Sequence, residues 1–512
     1  MFYRKRAFRV KAKDSRILRK RKAEIEARID RTNFPKREGP VLSARNIHYE
    51  MADRARAIDC GGLGAFHVLA RNTGLIDALD ARLNLLKAHL PYRESDHVLN
   101  IAYNALTGGT CLDDLERRRN DAAYLDALGA ERIPDPTTAG DFARRFSERD
   151  VLALMEAINS ARPELWRRRL SCRERSRAVI DVDGTMAPTT GERKEGMEIN
   201  HKGEWGYHPL LVSLANTQEP LCLVNRPGNR PSHEGAPEWL DRASELALKA
   251  FDKVCFRGDT DFALTGHFDR WDKAGQEFVF GVDARKALVA QAESLPGKGW
   301  KRLNRRVALT LTGETRRRPE NVKQAIVEER EFEVIELKGE WVAEFAYRPG
   351  KCNRSYRMVV ARKDLAVGKG QQWLFDDIRH FFYITNRTDL TAAEVVLFAN
   401  ARCNQENLIE QLKNGLNALR MPTGDLVSNW AYAVMASLAW TLKAWFALMT
   451  RDEAHRDELL SMEFKRFLHW IVRTPCQIAR TGRRIVYRFL GYTEWLRTFF
   501  DTFGRIRRLK LA

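Results

Sequence analysis

Ala178-Val-Ile-Asp-Val-Asp-Gly-Thr185 has the composition of a buried strand that carries two carboxylates to its own end. Strand side chains alternate, so Val179, Asp181 and Asp183 share one face while Ala178, Ile180 and Val182 share the other. Two like charges on one face of a central strand are costly. Desolvation and mutual repulsion both oppose ionisation, so one acid keeps its proton unless a cation or a basic group lies between them. A divalent metal is the simplest such cation. Gly184 permits a turn or a close approach to a ligand, and Thr185 offers a hydroxyl beside the acids. Taken alone, the stretch reads first as an ordinary strand ending in an Asp-Gly turn, and residues far downstream change that reading.

The elements that follow are strand-like and then alternate. Tyr207–Asn216 and Pro220–Arg226 form an expected antiparallel pair around Thr217-Gln-Glu-Pro220. Pro237–Phe251 reads as a helix, and the short strand Lys253–Phe256 runs directly into Arg257-Gly-Asp-Thr-Asp-Phe262. Another helix and the strand Phe278–Val282 complete the series. Three strands, helix, strand, helix, strand is the order of a ribonuclease-H-like α/β fold, with a first acid on the first strand and a second just after the fourth. Asp259 is the second candidate, with Asp261 close behind it. Asp259 is preferred because it directly follows the strand and Gly258, where the chain is free to leave the sheet.

Downstream, residues 285–390 alternate apolar with polar in Glu331–Leu337, Glu340–Tyr347 and Tyr356–Arg362, as amphipathic antiparallel strands do. They are read as an inserted β-rich domain, with Arg316-Arg-Arg318, Lys351, Arg354 and Arg357 as candidate phosphate contacts. Phe381–Thr385 returns to strand character. Thr391–Arg420 then reads as one helix in which Arg402, Glu406 and Lys413 fall at i, i+4 and i+11, on one side at about 100° per residue. A carboxylate between two cations is ordinary on an exposed helix. Behind two strand-end aspartates, Glu406 becomes the expected third acid of a metal site.

The remaining chain is basic. Among 512 residues, 87 Lys+Arg face 68 Asp+Glu, a formal +19, which favours a polyanionic partner, nucleic acid ahead of anionic membrane. Residues 1–43 form a basic arm, 44–170 a helical DNA-binding region of helix-turn-helix character, and 451–512 a basic helical C-terminal region. In the second of these, Pro136–Phe146 reads as a turn and a helix whose face carries Arg144 and Arg145. The catalytic core is expected in two parts, 171–284 and 391–450. Trp430–Met449 is apolar enough to resemble a membrane span, but Ser437, Thr441 and Lys443 favour a helix buried against the sheet. The 8 cysteines show no zinc-site spacing and read as reduced thiols. No secretory signal is evident, so a cytoplasmic, nucleoid-associated protein is expected.

Asp181-Val-Asp-Gly-Thr185, Arg257-Gly-Asp-Thr-Asp-Phe262 and Arg402-Cys-Asn-Gln-Glu-Asn-Leu-Ile-Glu-Gln-Leu-Lys413 together resemble bacterial insertion-sequence transposases of the DDE type. The nearest group is the one whose type element is IS thirteen-eighty. His208-Pro-Leu-Leu, Arg226-Pro-Gly-Asn229 and Ile384-Thr-Asn386 strengthen the resemblance, which covers roughly Asn104 to the C-terminus. It implies a ribonuclease-H-like (retroviral-integrase-like) core with an inserted β-domain. Asp183 would be the first catalytic and metal-binding acid, with Asp181 the alternative, Asp259 the second and Glu406 the third. Related transposases also carry a Tyr-Arg-Glu-Lys signature. Arg402, Glu406 and Lys413 fit it, whereas Ala399 stands in the tyrosine position with Phe398 beside it. Arg402, Lys413, Arg144, Arg145 and Arg257 are the expected DNA contacts.

The implied activity is metal-dependent cleavage and strand transfer at the terminal inverted repeats of a mobile element, with two Mg²⁺ ions, replaceable by Mn²⁺, about 3.5–4 Å apart. Double-stranded DNA, as element ends and as target, is the partner, and a homodimer is expected because two ends must be paired. No membrane and no nucleotide cofactor are implied. A metal nuclease of the same fold without strand transfer, and a catalytically silent DNA-binding relative, are the alternatives.

Overall fold

The computed structural model describes residues 11–31, 48–49, 55–89, 91–191, 193–200, 202–304, 333–369, 372–482 and 484–511. Arg316-Arg-Arg318 and the basic residues ahead of Lys11 lie outside these. The chain divides into two compact units. One comprises Ser176–Gly184 and Pro231–Glu406, the other Met1–Arg175, Thr185–Arg230 and Asn407–Ala512.

The unit that holds the acids is built on a mixed sheet. Its strands lie in the order Lys301–Arg302, Glu333–Tyr347, Tyr356–Lys369, Gln372–Thr385, Glu277–Val282, Val254–Gly258 and Ala178–Gly184. Pairing is antiparallel from Lys301–Arg302 as far as Glu277–Val282. It is parallel between the last three strands. Parallel neighbours need crossovers, supplied here by the helices Ala236–Ala247 and Phe268–Lys273.

The β-rich segment is therefore not a sheet of its own. Gln372–Thr385 is one continuous strand whose last four residues pair with Val279–Val282. Glu331 and Phe332 lie outside the described residues; from Glu333 on, the two amphipathic stretches are a single strand, Glu333–Tyr347, with a register shift between Leu337 and Gly339. Periodicity missed this because alternation describes each stretch by itself and does not say which strand it pairs with or whether the next stretch continues it. Ile384-Thr-Asn386 marks the join. Thr385 donates its hydroxyl to the Phe278 carbonyl at 2.6 Å, and the Asn386 amide oxygen accepts from the Phe278 N–H at 2.9 Å.

Alternation along these strands separates two faces. Phe256, Phe278 and Phe280 point one way and pack on Phe268 and Trp271, all fully buried. Cys255, Val279, Val359 and Ala361 point the other way, under Val395 and Val396 of the helix Ala392–Asn400. In the parallel register Val179 lies opposite Cys255 and Asp181 opposite Arg257. The acids of Ala178–Gly184 consequently face the side covered by Ala392–Asn400.

The second unit is organised on the helix Leu426–Leu448, which packs against Glu94–Leu106, Glu148–Ser160 and the strand Glu219–Val224. That helix is long and apolar enough to cross a membrane, yet its apolar window is buried on every side. The expected hairpin forms from Leu210–Leu214 and Glu219–Val224. At its turn Glu219 is fully buried and accepts from Trp166 Nε1 and Trp445 Nε1, each at 2.8 Å, from the Thr217 hydroxyl, and from the Arg162 guanidinium. A buried carboxylate with four donors is fully satisfied. Arg226-Pro-Gly-Asn229 is structural too. Arg226 Nε donates to the His208 carbonyl at 2.9 Å, and a Cβ on Gly228 would lie 2.2 Å from the Gly206 oxygen.

Three expectations change here. The described part of the N-terminal arm is the helix Ala12–Ile29, with no buried residue, and Arg21 ties it to the carbonyls of Phe489 and Gly491. The C-terminal region is not all helical, because Cys476–Thr481 and Arg484–Phe489 form a hairpin that pairs with Ala57–Ile58. Arg144 and Arg145 do not lie on a helix face. The helix Pro136–Ala143 ends before them, with Arg144 held by Asp141 at 2.9 Å and Arg145 directed to the Leu85 carbonyl. All 8 cysteines are free.

Candidate active site

Asp183 sits at the end of Ala178–Gly184, with its side chain 15 % exposed. Asp259 follows Val254–Gly258 and opens a short 3-10 turn, Thr260–Phe262, by accepting from the Asp261 N–H at 3.0 Å. That bond fixes the Asp259 carboxylate at the strand end. Asp261 is exposed and takes no part. Gly258 is required by space: a Cβ there would approach Phe262 Cβ to 2.9 Å and the Phe280 ring to 3.2 Å. Gly258→Ala is expected to cost about 1–3 kcal/mol by overpacking the turn that carries Asp259, measured as a lowered urea midpoint.

The third acid comes from a helix that differs from the expected one. Thr391–Arg420 is not continuous: Ala392–Asn400 ends at Ala401, a new helix spans Cys403–Glu410, and Gln411–Gly415 is a π-helical turn. A uniform advance of about 100° per residue therefore does not extend from Arg402 to Lys413. Lys413 lies in the π turn, in the other unit. Arg402 stands at the step between the two helices, and Glu406 in the first turn of the second.

That step lets Arg402 reach inward. Its Nη1 lies 2.9 Å from Asp183 Oδ2 and 3.6 Å from Asp259 Oδ2, and its Nη2 lies 3.3 Å from Glu406 Oε1. Three carboxylates from three separate elements thus converge on one guanidinium.

Asp181 does not join them. Its side chain, 1 % exposed, is gripped by Arg257 through Nε at 2.6 Å and Nη2 at 2.8 Å. Arg257 Nη1 donates to the Phe398 carbonyl at 2.7 Å, and its guanidinium lies 5.0 Å from the Phe398 ring centroid. Arg257, 4 % exposed on its side chain, has no route to a DNA phosphate, so its place among the DNA contacts is withdrawn. Asp181 is withdrawn as an alternative metal ligand on the same ground, because both its oxygens are engaged. The two acids on one strand face are thus neutralised by different arginines. The signal for this was present in sequence, an Arg one residue before Gly258, but only the parallel register makes it the neighbour of Asp181.

One guanidinium does not balance three carboxylates. Burial pushes Asp183 up to about 7 against the pull of Arg402, with the charges of Asp259 and Glu406 adding to the rise. Burial also raises Asp259, again opposed by Arg402. A carboxyl that holds its proton more tightly folded than unfolded stabilises the fold at low pH. That stabilisation is lost as pH rises from about 4 to about 7. Asp183→Asn removes the Asp183 share of this dependence and leaves that of Asp259. Urea unfolding at pH 5 and pH 8 is expected to show the variant gaining on the parent by an amount of the order of a few kcal/mol.

The donor set suits a hard divalent cation: three acceptor-only carboxylates, with neither His nor Cys. Among the described residues no group of three His, Cys, Asp or Glu side chains is disposed to hold an ion as it stands. Each of the three acids turns an oxygen to Arg402 instead.

The family model for the transposase DDE domain, group 1, matches residues 42–511. The chain belongs to this transposase family. DDE transposases generally use divalent metal ions, in keeping with the donor set. A piggyBac transposase synaptic complex with hairpin DNA, solved by cryo-EM, aligns over 81 % of this chain and 84 % of that one at 10 % identity, with a TM-score of 0.33. A likeness that slight carries no weight for the DDE transposase described here. No curated protein matches the chain.

Proposed function

We propose that this DDE transposase binds the terminal inverted repeats of an insertion sequence, in the group of IS thirteen-eighty, cuts the flanking phosphodiesters and joins the freed ends to target DNA. The observation that carries the reading is the convergence of Asp183, Asp259 and Glu406 on Arg402. Their order also supports a ribonuclease-H-like core: a first acid on one strand, a second just after its parallel neighbour, and a third on a later helix.

In this reading the three acids hold two divalent ions, Mg²⁺ by preference. Those ions would activate the attacking oxygen and stabilise the leaving one at phosphorus. The chain's own residues do the rest. The sheet and the Asp259 turn hold the acids in place before substrate arrives. Arg402 supplies positive charge for phosphate. The basic helix Ala12–Ile29 and the surrounding helical region supply sequence-independent affinity for the backbone, which weakens with salt. Two element ends are brought together by a homodimer.

Product analysis on labelled element ends tests the proposal. Molecules joined to target DNA in the presence of Mg²⁺ support it. Nicks without joined products identify a nuclease, and end binding without any cut identifies a silent DNA-binding relative.

A further inference from the structure

We propose that Arg402 is a built-in counter-ion of the acidic centre, which holds the three carboxylates together while no divalent ion is bound and competes with that ion for them. The inference rests on the reading that Asp183, Asp259 and Glu406 are metal ligands, and adds a step to it: loading requires the guanidinium to leave.

The two arginines of this region show the difference between a fixed partner and a displaceable one. Arg257 is held by both oxygens of one acid, by the Phe398 carbonyl and against the Phe398 ring. Nothing short of unfolding frees it. Among the described residues, the Arg402 guanidinium has only the three carboxylates as polar partners. It is also more open, 18 % exposed against 4 %.

Its backbone position matches the role. Arg402 falls at the turn between the helices Ala392–Asn400 and Cys403–Glu410, its N–H on the Ala399 carbonyl at 3.3 Å and its own carbonyl accepting from the Gln405 N–H at 2.8 Å. Without it, three carboxylates that meet one guanidinium would repel one another. A multivalent cation entering the centre performs the same neutralisation with more charge. The guanidinium, once released, has lost all its partners and is available to a phosphate. One side chain thereby serves the empty centre and the loaded one in turn.

The test is Mn²⁺ binding to the full-length, DNA-free protein at pH 8, by titration calorimetry, with thermal melts beside it. Arg402→Gln is expected to bind Mn²⁺ about fivefold or more tightly than the parent, to melt lower without metal, and to gain more on Mn²⁺ addition. Adding Asp259→Asn to Arg402→Gln is expected to remove that gain. Arg402→Lys, which keeps one charge but loses the planar fork, is expected to fall between parent and Gln variant, and it decides the matter if the Gln variant does not fold. Unchanged or weaker Mn²⁺ binding by folded variants overturns the counter-ion role while leaving the metal site intact. Absence of Mn²⁺ binding in parent and variants alike overturns the metal-site reading, and the counter-ion role with it.

Discussion

Asp183→Asn, Asp259→Asn and Glu406→Gln are each expected to lower Mg²⁺-dependent cleavage of element ends by about a thousandfold or more, while end binding changes little. The magnitude follows from what three shared carboxylates do: if they position the ions that stabilise both oxygens of an in-line displacement, losing one removes several kcal/mol of transition-state stabilisation, and each 1.36 kcal/mol is about tenfold. The substitutions are nearly isosteric and none removes a packed apolar group, so the fold should survive. Glu406, 57 % exposed, contributes little to packing. Binding is expected to be spared, because in the proposed function backbone affinity comes from Lys and Arg rather than from these acids. Cleavage rates on a labelled duplex, with gel-shift affinities measured alongside, check this. Full-rate cutting by any of the three would sink the assignment of that residue.

Arg257→Met is the second large effect, and it acts on stability. It leaves Asp181 almost completely buried without its ion-pair partner and strips the Phe398 carbonyl of its donor. Breaking one side of a buried ion pair typically costs about 3–5 kcal/mol, far more than the pair is worth when both members are replaced together. The double variant Asp181→Leu with Arg257→Met is therefore expected to recover most of the loss. Urea unfolding of the single and double variants closes the cycle. A single variant destabilised by under about 1 kcal/mol would show that Arg257 does not hold Asp181 in place.

The contrast between these two aspartates shows where one-dimensional reading stops. Strand alternation puts Asp181 and Asp183 on one face, and that is how they lie. Alternation says nothing about which basic group reaches each. Arg257 comes from the adjacent parallel strand through register, and Arg402 from a helix step more than two hundred residues away. The same limit explains Thr391–Arg420. The spacing of Arg402, Glu406 and Lys413 fits one helix, but the break at Ala401 and the π turn at Gln411–Gly415 have no clear mark in composition. The break matters, because it turns Arg402 inward.

Local pieces are legible in the order of residues alone: the apolar strand with its acids, the Gly258 turn, the long buried helix, and the motifs that mark a DDE transposase. These follow from side-chain period and backbone freedom, which act over a few residues. Register and packing assign Asp181 to the interior and Asp183 to the acidic centre, run the β-rich segment into the sheet, and gather three acids on one guanidinium. Charge pairing and strand register depend on distances between residues far apart in the chain, and those distances exist only once the sheet and its covering helix have packed.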